Sequence, residues 1–180
     1  KAEMILQGRS DEGISPLLLA SGGSAGARPK VLALRNPVSG AFAVDDGSLA
    51  IQGHEHWLIK LKHRAEGGDI GRVEHAYAEM ARAAGIDFPA TQLVIDDQDV
   101  AHFAVRRFDR TEAGRLHAHT LAGLVHADIR APSLDYQDLL TVAKVMTSDQ
   151  AQVEEAFRRM VFNIVVGNRD DHAKNHAFLM

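Results

Sequence analysis

The chain has 180 residues, of which 46% are hydrophobic, and this length and composition suit one compact domain or two small lobes. The net charge of -4 argues against direct binding to nucleic acid, because that requires clustered positive charge. The sequence has no cysteine, no signal-peptide pattern and no apolar run long enough to span a membrane, so we expect a cytoplasmic protein without a membrane partner.

The extended segments fall in the first half of the chain. Apolar runs at 31–35 and 57–62 each follow turn-forming residues and predict strands. The polar segment 36–53, punctuated by glycines, is expected to connect them. Two further runs, at 91–95 and 102–108, are separated by an acidic turn and predict a hairpin.

The helices are predicted from apolar residues that recur every three or four positions. This spacing predicts an amphipathic helix over 69–84, and Gly85 is expected to end it. The same spacing over 133–147 and 149–166 predicts two more helices, with a polar residue at 148–149 as a cap for the second. Strands thus precede helices along the chain, which predicts an α+β fold.

Polar residues crowd into the segment G-N-R-D-D-H-A-K-N at 167–175, directly after an apolar helix. Asp170 and Asn175 have the spacing of a kinase catalytic loop, in which the aspartate orients the hydroxyl nucleophile and the asparagine holds magnesium. Oxygen ligands of this kind suit a hard cation better than zinc. The alternative is an Asp/Asn-rich loop that only caps a helix, because such short motifs often arise by chance.

A lysine on a predicted strand is a second element of kinase type. Alternation along the strand places Trp57, Ile59 and Leu61 on one face and Lys60 on the other. Lys60 would then point where a kinase lysine meets nucleotide phosphates, with Glu74 of the following helix as its partner. Taken singly, each is equally explained as an ordinary exposed residue.

The third element is the small-residue segment 21–30, just ahead of the first strand. Small residues let backbone amides approach phosphate oxygens, and Arg28 and Lys30 could add charge. The segment is not a Walker A motif, since no Gly-Lys-Ser/Thr follows. The alternative is a flexible linker.

These elements occur in the order of a two-lobed kinase, and several segments resemble the signature blocks of HipA-type serine/threonine kinases, the toxins of bacterial toxin–antitoxin pairs. The resemblance implies a two-lobed, kinase-like α+β fold, here incomplete. A β-rich nucleotide-binding lobe would take residues 1–110, and a helical lobe ending in the catalytic loop would take 111–180. The matching segments are S-G-G-S-A-G-A-R-P-K (21–30), W-L-I-K-L (57–61), V-R-R-F-D-R (105–110), H-T-L-A-G-L (119–124), P-S-L-D-Y (132–136) and F-R-R-M-V-F-N-I-V-V-G-N-R-D-D-H-A-K-N-H-A-F-L-M (157–180).

The resemblance also implies the reaction, transfer of the γ-phosphoryl group of ATP, with Mg²⁺, to a protein serine or threonine. Asp170 would be the catalytic aspartate, and His172 and Lys174 would line the same loop. Asn175 would be a magnesium ligand.

The ATP site follows from the same resemblance. Lys60 would bind the phosphates, with Glu74 as its partner. In the V-R-R-F segment, which would be the hinge between the lobes, Arg106 and Phe108 would present backbone groups to adenine.

The phosphate loop at 21–30 would also be a regulatory site, because kinases of this family autophosphorylate a serine there and so inactivate themselves. Ser24 is the first choice for this serine and Ser21 the second. Gly26 and Lys30 would contribute to the same loop.

Two departures from the family pattern affect the expected activity. The family has a second metal-binding aspartate beyond the catalytic loop, and the sequence stops at Met180 before any such residue; it also lacks an additional N-terminal subdomain. We therefore expect a truncated fragment with impaired phosphoryl transfer. The alternative is a catalytically inactive kinase-like module that binds an antitoxin or nucleotide.

The resemblance further implies an antitoxin protein as partner and an aminoacyl-tRNA synthetase as protein substrate, although no residue specifies either. Zinc hydrolysis is a different interpretation of the same segment. His172 and His176 are spaced like zinc ligands on a helix, but the glutamate of H-E-x-x-H is missing and the segment is predicted to be a loop that runs into a strand.

Overall fold

The computed structural model describes residues 30–45, 53–61, 68–96, 98–111, 113–128 and 134–180. These residues fall into two compact units. The first extends to Met80 and includes Phe88–Phe108, and the second comprises Ala81–Asp87 and Asp109–Met180. Within the described ranges, no helix has the length and apolar character needed to cross a membrane.

The first unit is built on a five-stranded antiparallel sheet with strand order β2-β1-β3-β5-β4. The prediction that 36–53 is only a connection is wrong, because β2 lies within it. This strand has three residues, too few for alternation to show in the sequence. The other strands agree with the predicted runs to within two residues, and the strand predicted at 102–108 ends at residue 106. The strands are β1 Lys30–Arg35, β2 Phe42–Val44, β3 Glu55–Lys60, β4 Thr91–Ile95 and β5 Ala101–Arg106.

One face of this sheet carries an apolar core. The alternation predicted for β3 is confirmed, since Trp57, Ile59 and Leu61 are each at most 3% exposed. The Trp57 indole donates from Nε1 to Glu55 Oε2 at 3.1 Å, and Phe42 meets the ring edge-to-face with centroids 5.7 Å apart. The rest of the buried cluster comes from neighbouring strands: Val31, Ala33 and Ala104.

The opposite face of the sheet receives helix α1, Ile70–Ala83. Near its start, Gly71 lies so close to β5 that an added Cβ would be 2.8 Å from the Ala101 carbonyl carbon, and closer still to the carbonyl oxygen. The helix ends as predicted at Gly85, whose φ of +78° favours glycine. The Ile86 amide donates back to the Ala81 carbonyl at 3.0 Å, which satisfies the last turn.

The described residues of the second unit form three helices, and the prediction of two long ones is confirmed. Helix α3 begins with a reciprocal capping box between Asp135 and Asp138. Asp149 caps α4 by accepting from the Ala151 amide at 2.9 Å, whereas Ser148 ends α3 in the left-handed region with φ +51°. The helices are α2 Leu121–Leu124, α3 Tyr136–Thr147 and α4 Gln150–Val165.

Two short antiparallel ribbons in this unit have pairings that were not predicted, although a strand after the polar segment 167–175 was. One pairs β6 Arg110–Thr111 with β7 Gly114–Arg115, and the other pairs β8 Ala118–Thr120 with β9 Ala177–Leu179. The second ribbon joins segments far apart in the chain. It therefore fixes the end of the polar segment 167–175 against the start of the unit.

A charged cluster holds the segment after α1 to helix α4. The Glu155 carboxylate accepts from Arg158 at 2.7 Å, from Arg159 at 2.8 Å and from the Asp87 amide at 3.3 Å. Burial alone would raise the pKa of Glu155, but these hydrogen bonds outweigh it and lower the pKa overall. Arg158 also donates to the Gly85 carbonyl at 3.3 Å, so the segment is fixed at two points.

Candidate active site

Lys60 and Glu74 form an ion pair in the first unit. Lys60 ends β3 on the face opposite Trp57, and its Nζ lies 2.8 Å from Glu74 Oε2 of α1. The side chains are 37% and 23% exposed, so the pair is partly screened from water. The Lys60 ammonium also lies 5.5 Å from the centre of the Phe103 ring. A carboxylate in this position fixes the direction of the lysine side chain.

Arg106 and Phe108 lie at the end of β5 in the same unit. The Arg106 amide already donates to the Ala90 carbonyl at 2.9 Å. Of the two backbone groups of Arg106 predicted to contact adenine, this leaves the carbonyl oxygen. The Arg106 guanidinium lies 3.5 Å from Glu55 Oε1. Phe108 is 57% exposed. The adenine role of both residues stays a prediction.

The predicted catalytic loop begins where α4 ends in the second unit. The Asn168 amide donates to the Asn163 carbonyl at 2.9 Å and the Gly167 amide to the Ile164 carbonyl at 3.2 Å, the two bonds of a Schellman motif. Gly167 has φ +66°, a conformation that glycine adopts without strain. The Gly-Asn dipeptide thus turns the chain sharply out of the helix and into the loop.

Asp170 is held by its backbone while its carboxylate stays exposed. Its amide donates to Asn168 Oδ1 at 3.1 Å, and its carbonyl accepts from Asn175 Nδ2 at 2.6 Å. The Asp170 side chain is 86% exposed. Because the Asn175 nitrogen is bound to the loop, its side-chain oxygen remains as a ligand. Asp170 and Asn175 therefore present a carboxylate and an amide oxygen, the donor type that Mg²⁺ prefers.

His172 and Lys174 occupy the same loop with exposed side chains. His172 Nε2 lies 3.3 Å from Asp170 Oδ1, so the imidazole borders the carboxylate. Lys174 lines an open cavity together with Thr120 and His126. The structure thus brings His172 to Asp170, and the catalytic roles of His172 and Lys174 stay predictions.

A hydrogen-bonded network behind the loop was missed by the sequence analysis. Asp171 accepts a short hydrogen bond from the Tyr136 hydroxyl, and its other oxygen lies 2.9 Å from His176 Nε2. Asn163 donates to the Tyr136 oxygen at 3.1 Å. The prediction of a loop that runs into a strand is confirmed, because β9 follows the loop. His176 points at the Asp171 carboxylate. Among the described residues, no group of three or more His, Asp or Glu side chains has the arrangement of a metal site.

Residues 22–180 match the HipA-like C-terminal domain family. The chain belongs to this family. One relative is the provisionally named kinase Y4dM of Sinorhizobium fredii, 33% identical over 136 residues that cover 68% of this chain and 33% of the relative. Another provisionally named kinase, from Haemophilus influenzae, is 28% identical over 120 residues, 59% of this chain and 35% of the relative. The HipA-like chain thus spans about a third of the length of the curated relatives it matches.

A solved structure shows the same fold. It is a chain of the complex of the Shewanella oneidensis MR-1 toxin–antitoxin system HipA, HipB and its operator DNA. The superposition has a TM-score of 0.66 at 20% identity and covers 100% of this chain and 46% of that chain. The predicted α+β, kinase-like fold of the HipA type is therefore confirmed.

The predicted site residues of this HipA-like chain are divided between its two units. Lys60, Glu74 and the 106–108 segment belong to the first unit, and the 170–175 loop belongs to the second. Lys30 begins β1 directly opposite Lys60 in the antiparallel register. The phosphate-loop residues Ser21, Ser24 and Gly26 lie outside the described residues. The convergence of Lys60 and Asp170 in one cleft stays a prediction.

Burial and the hydrogen bond to Asp171 raise the pKa of Tyr136 from 10.0 to about 12. A raised pKa means that the neutral phenol stabilises the fold fully below pH 10, and that this stabilisation is lost as the pH rises through about 12. The chain has two tyrosines, so phenolate absorbance of the wild type minus that of Tyr136→Phe isolates this titration. We expect the difference to stay near zero up to about pH 11 in the folded protein. A midpoint at the ordinary tyrosine value would contradict the hydrogen-bonded network.

Proposed function

We propose that this chain carries the ATP-binding and catalytic-loop parts of a HipA-like serine/threonine protein kinase. In this proposal the nucleotide-binding lobe is residues 1–110 and the helical lobe 111–180, whereas residues 81–87 and 109–110 fall in the second compact unit. The observation that carries the proposal is the 2.8 Å contact between Lys60 Nζ and Glu74 Oε2. Protein kinases bind the α- and β-phosphates of ATP with a strand lysine that is held in position by a helix glutamate.

The position of Lys30 supports a polyphosphate ligand at the same place. Lys30 and Lys60 face each other across β1 and β3, and like charges directly opposite in a sheet repel. Glu74 balances one of these charges. Bound phosphates would balance the other charge, which supports an ATP site beside these two lysines.

In the proposed reaction, the hydroxyl oxygen of a substrate serine or threonine attacks the γ-phosphorus of ATP. Asp170 accepts the proton of that hydroxyl, and ADP leaves. Asn175, with the Asp170 carboxylate nearby, would hold Mg²⁺, which neutralises charge on the phosphates when bound. His172, 3.3 Å from the carboxylate, limits its orientations. Lys174 adds positive charge at the same loop.

The proposal extends to regulation and partners. Ser24 is the proposed autophosphorylation site, with Ser21 as the second choice. An antitoxin is the proposed protein partner, in line with the HipA–HipB complex of Shewanella oneidensis, and an aminoacyl-tRNA synthetase is the proposed substrate. That complex includes operator DNA. For this chain, the absence of direct nucleic-acid contact rests on its net charge of -4 and stays a prediction.

Substitution of Lys60 tests the proposal. Lys60→Met should weaken Mg·ATP binding about tenfold, because the phosphates lose a charge-assisted partner and Glu74 loses its counter-charge. Isothermal titration calorimetry of the folded variant measures this. Lys144→Met, an exposed lysine of α3, is the matched control and should bind as the wild type does. Equal loss in both variants, or no loss at Lys60, would show that the pair serves the fold and not the nucleotide.

A further inference from the structure

Asp170 has an exposed carboxylate, so burial does not fix its direction. A side chain that is 86% exposed keeps a defined position only if its backbone is fixed, and phosphoryl transfer depends on such positioning. The structure supplies that restraint through side chains that do not themselves face the reacting atoms. We propose that Asn168 and Tyr136 are positioning residues for Asp170. This inference rests on the proposed function, in which Asp170 is the catalytic aspartate.

Asn168 restrains the loop on the N-terminal side of Asp170. Its Oδ1 accepts from the Asp170 amide at 3.1 Å. Its Nδ2 donates to Asn163 Oδ1 at 3.3 Å, and its own amide donates to the Asn163 carbonyl at 2.9 Å. One side chain thus links the amide of Asp170 to the last turn of α4.

Tyr136 restrains the loop on the C-terminal side. Its hydroxyl donates to Asp171, the residue after Asp170, and accepts from Asn163 at 3.1 Å. The same Asp171 carboxylate binds His176, the residue after Asn175, at 2.9 Å. A single hydroxyl from α3 therefore restrains the residue that follows each member of the Asp170 and Asn175 pair. Asn163 joins both restraints, because it contacts Tyr136 and Asn168 together.

The test removes single hydrogen bonds and measures amide exchange by NMR. In Tyr136→Phe and Asn168→Ala, the amides of Asp170 and Asn175 should exchange about tenfold faster relative to amides in the middle of α4. Asn168→Ser should recover part of the protection, since a serine hydroxyl can accept from the amide two residues on. Tyr77→Phe, an exposed tyrosine of α1, should leave both amides unchanged.

Kinetics separate positioning from a purely structural role. Both substitutions should lower kcat about tenfold with the KM for ATP within about twofold of the wild type, because the loop and not the nucleotide site is disturbed. Asn168 is exposed, so Asn168→Ala decides the question even if Tyr136→Phe unfolds.

The outcomes distinguish this inference from the proposed function. Wild-type exchange at Asp170 in both variants overturns the positioning role, whatever the activity. Faster exchange together with unchanged kcat in an active enzyme overturns it as well. Faster exchange in a protein that binds no Mg·ATP supports the restraint on the loop and refutes the kinase proposal, whereas absent transfer with intact ATP binding agrees with the impaired activity expected of this chain.

Discussion

Asp170→Asn should slow phosphoryl transfer by about a thousandfold, because an amide cannot take the proton of the attacking hydroxyl. ATP affinity should be unchanged, since in the proposed site Lys60, held in position by Glu74, binds the phosphates. Thermal stability should also be unchanged. Asp170 contacts the fold through its amide and carbonyl, which asparagine retains, and its side chain is 86% exposed.

Transfer from γ-labelled ATP under single-turnover conditions measures this loss, and calorimetry with a melting curve checks binding and stability. Asp87→Asn is the control. Asp87 is an exposed aspartate of the same unit, and its backbone contacts Glu155 and Arg159. A variant at residue 170 that keeps full activity would remove Asp170 from the mechanism. If the variant at residue 170 loses activity only together with thermal stability, Asp170 has a structural role.

Gly71→Ala should destabilise the first unit by about 2 to 3 kcal/mol, although alanine in a helix is normally favoured over glycine by about 1 kcal/mol. The added Cβ would lie 2.8 Å from the Ala101 carbonyl carbon and closer to its oxygen. Both contacts are with backbone, which cannot rotate away. Helix α1 must therefore move from β5, and Glu74, one turn further along, moves away from Lys60.

Denaturant unfolding of Gly71→Ala should show the lower free energy of unfolding, and ATP titration should show weaker nucleotide binding than in the wild type. Ala76→Gly, at an exposed position of the same helix, is the control. It should cost about 1 kcal/mol of stability through helix propensity alone and leave ATP binding unchanged. If Gly71→Ala is as stable as the wild type, the close approach of α1 to β5 is wrong.

Features set by neighbouring residues were predictable from the sequence. Side-chain alternation placed Lys60 opposite Trp57 and Ile59, because a strand turns successive side chains to opposite faces. Gly85 marked the end of α1, since a glycine readily adopts the left-handed conformation that closes a helix. The spacing of apolar residues located α3 and α4 within a few residues.

Features set by distant residues were not predictable. The pairing of β8 with β9 joins residues about 60 positions apart, and three-residue strands carry too little pattern to reveal it. Tyr136 belongs to the P-S-L-D-Y segment, but its contact with Asp171 depends on how α3 and α4 pack. The need for glycine at position 71 likewise arises only when α1 meets β5. In each case, the second partner is supplied by the fold.

The backbone restraint on Asp170 separates the requirements of folding from those of chemistry at that position. The loop keeps its path through the amide and carbonyl of residue 170, which every residue except proline provides. Selection for a folded protein therefore does not preserve the aspartate, whereas selection for the proposed phosphoryl transfer would. A lineage released from that second pressure can lose the carboxylate by a single substitution and retain the whole architecture. Non-catalytic descendants should accordingly be recognisable by change at this position within an otherwise unaltered loop.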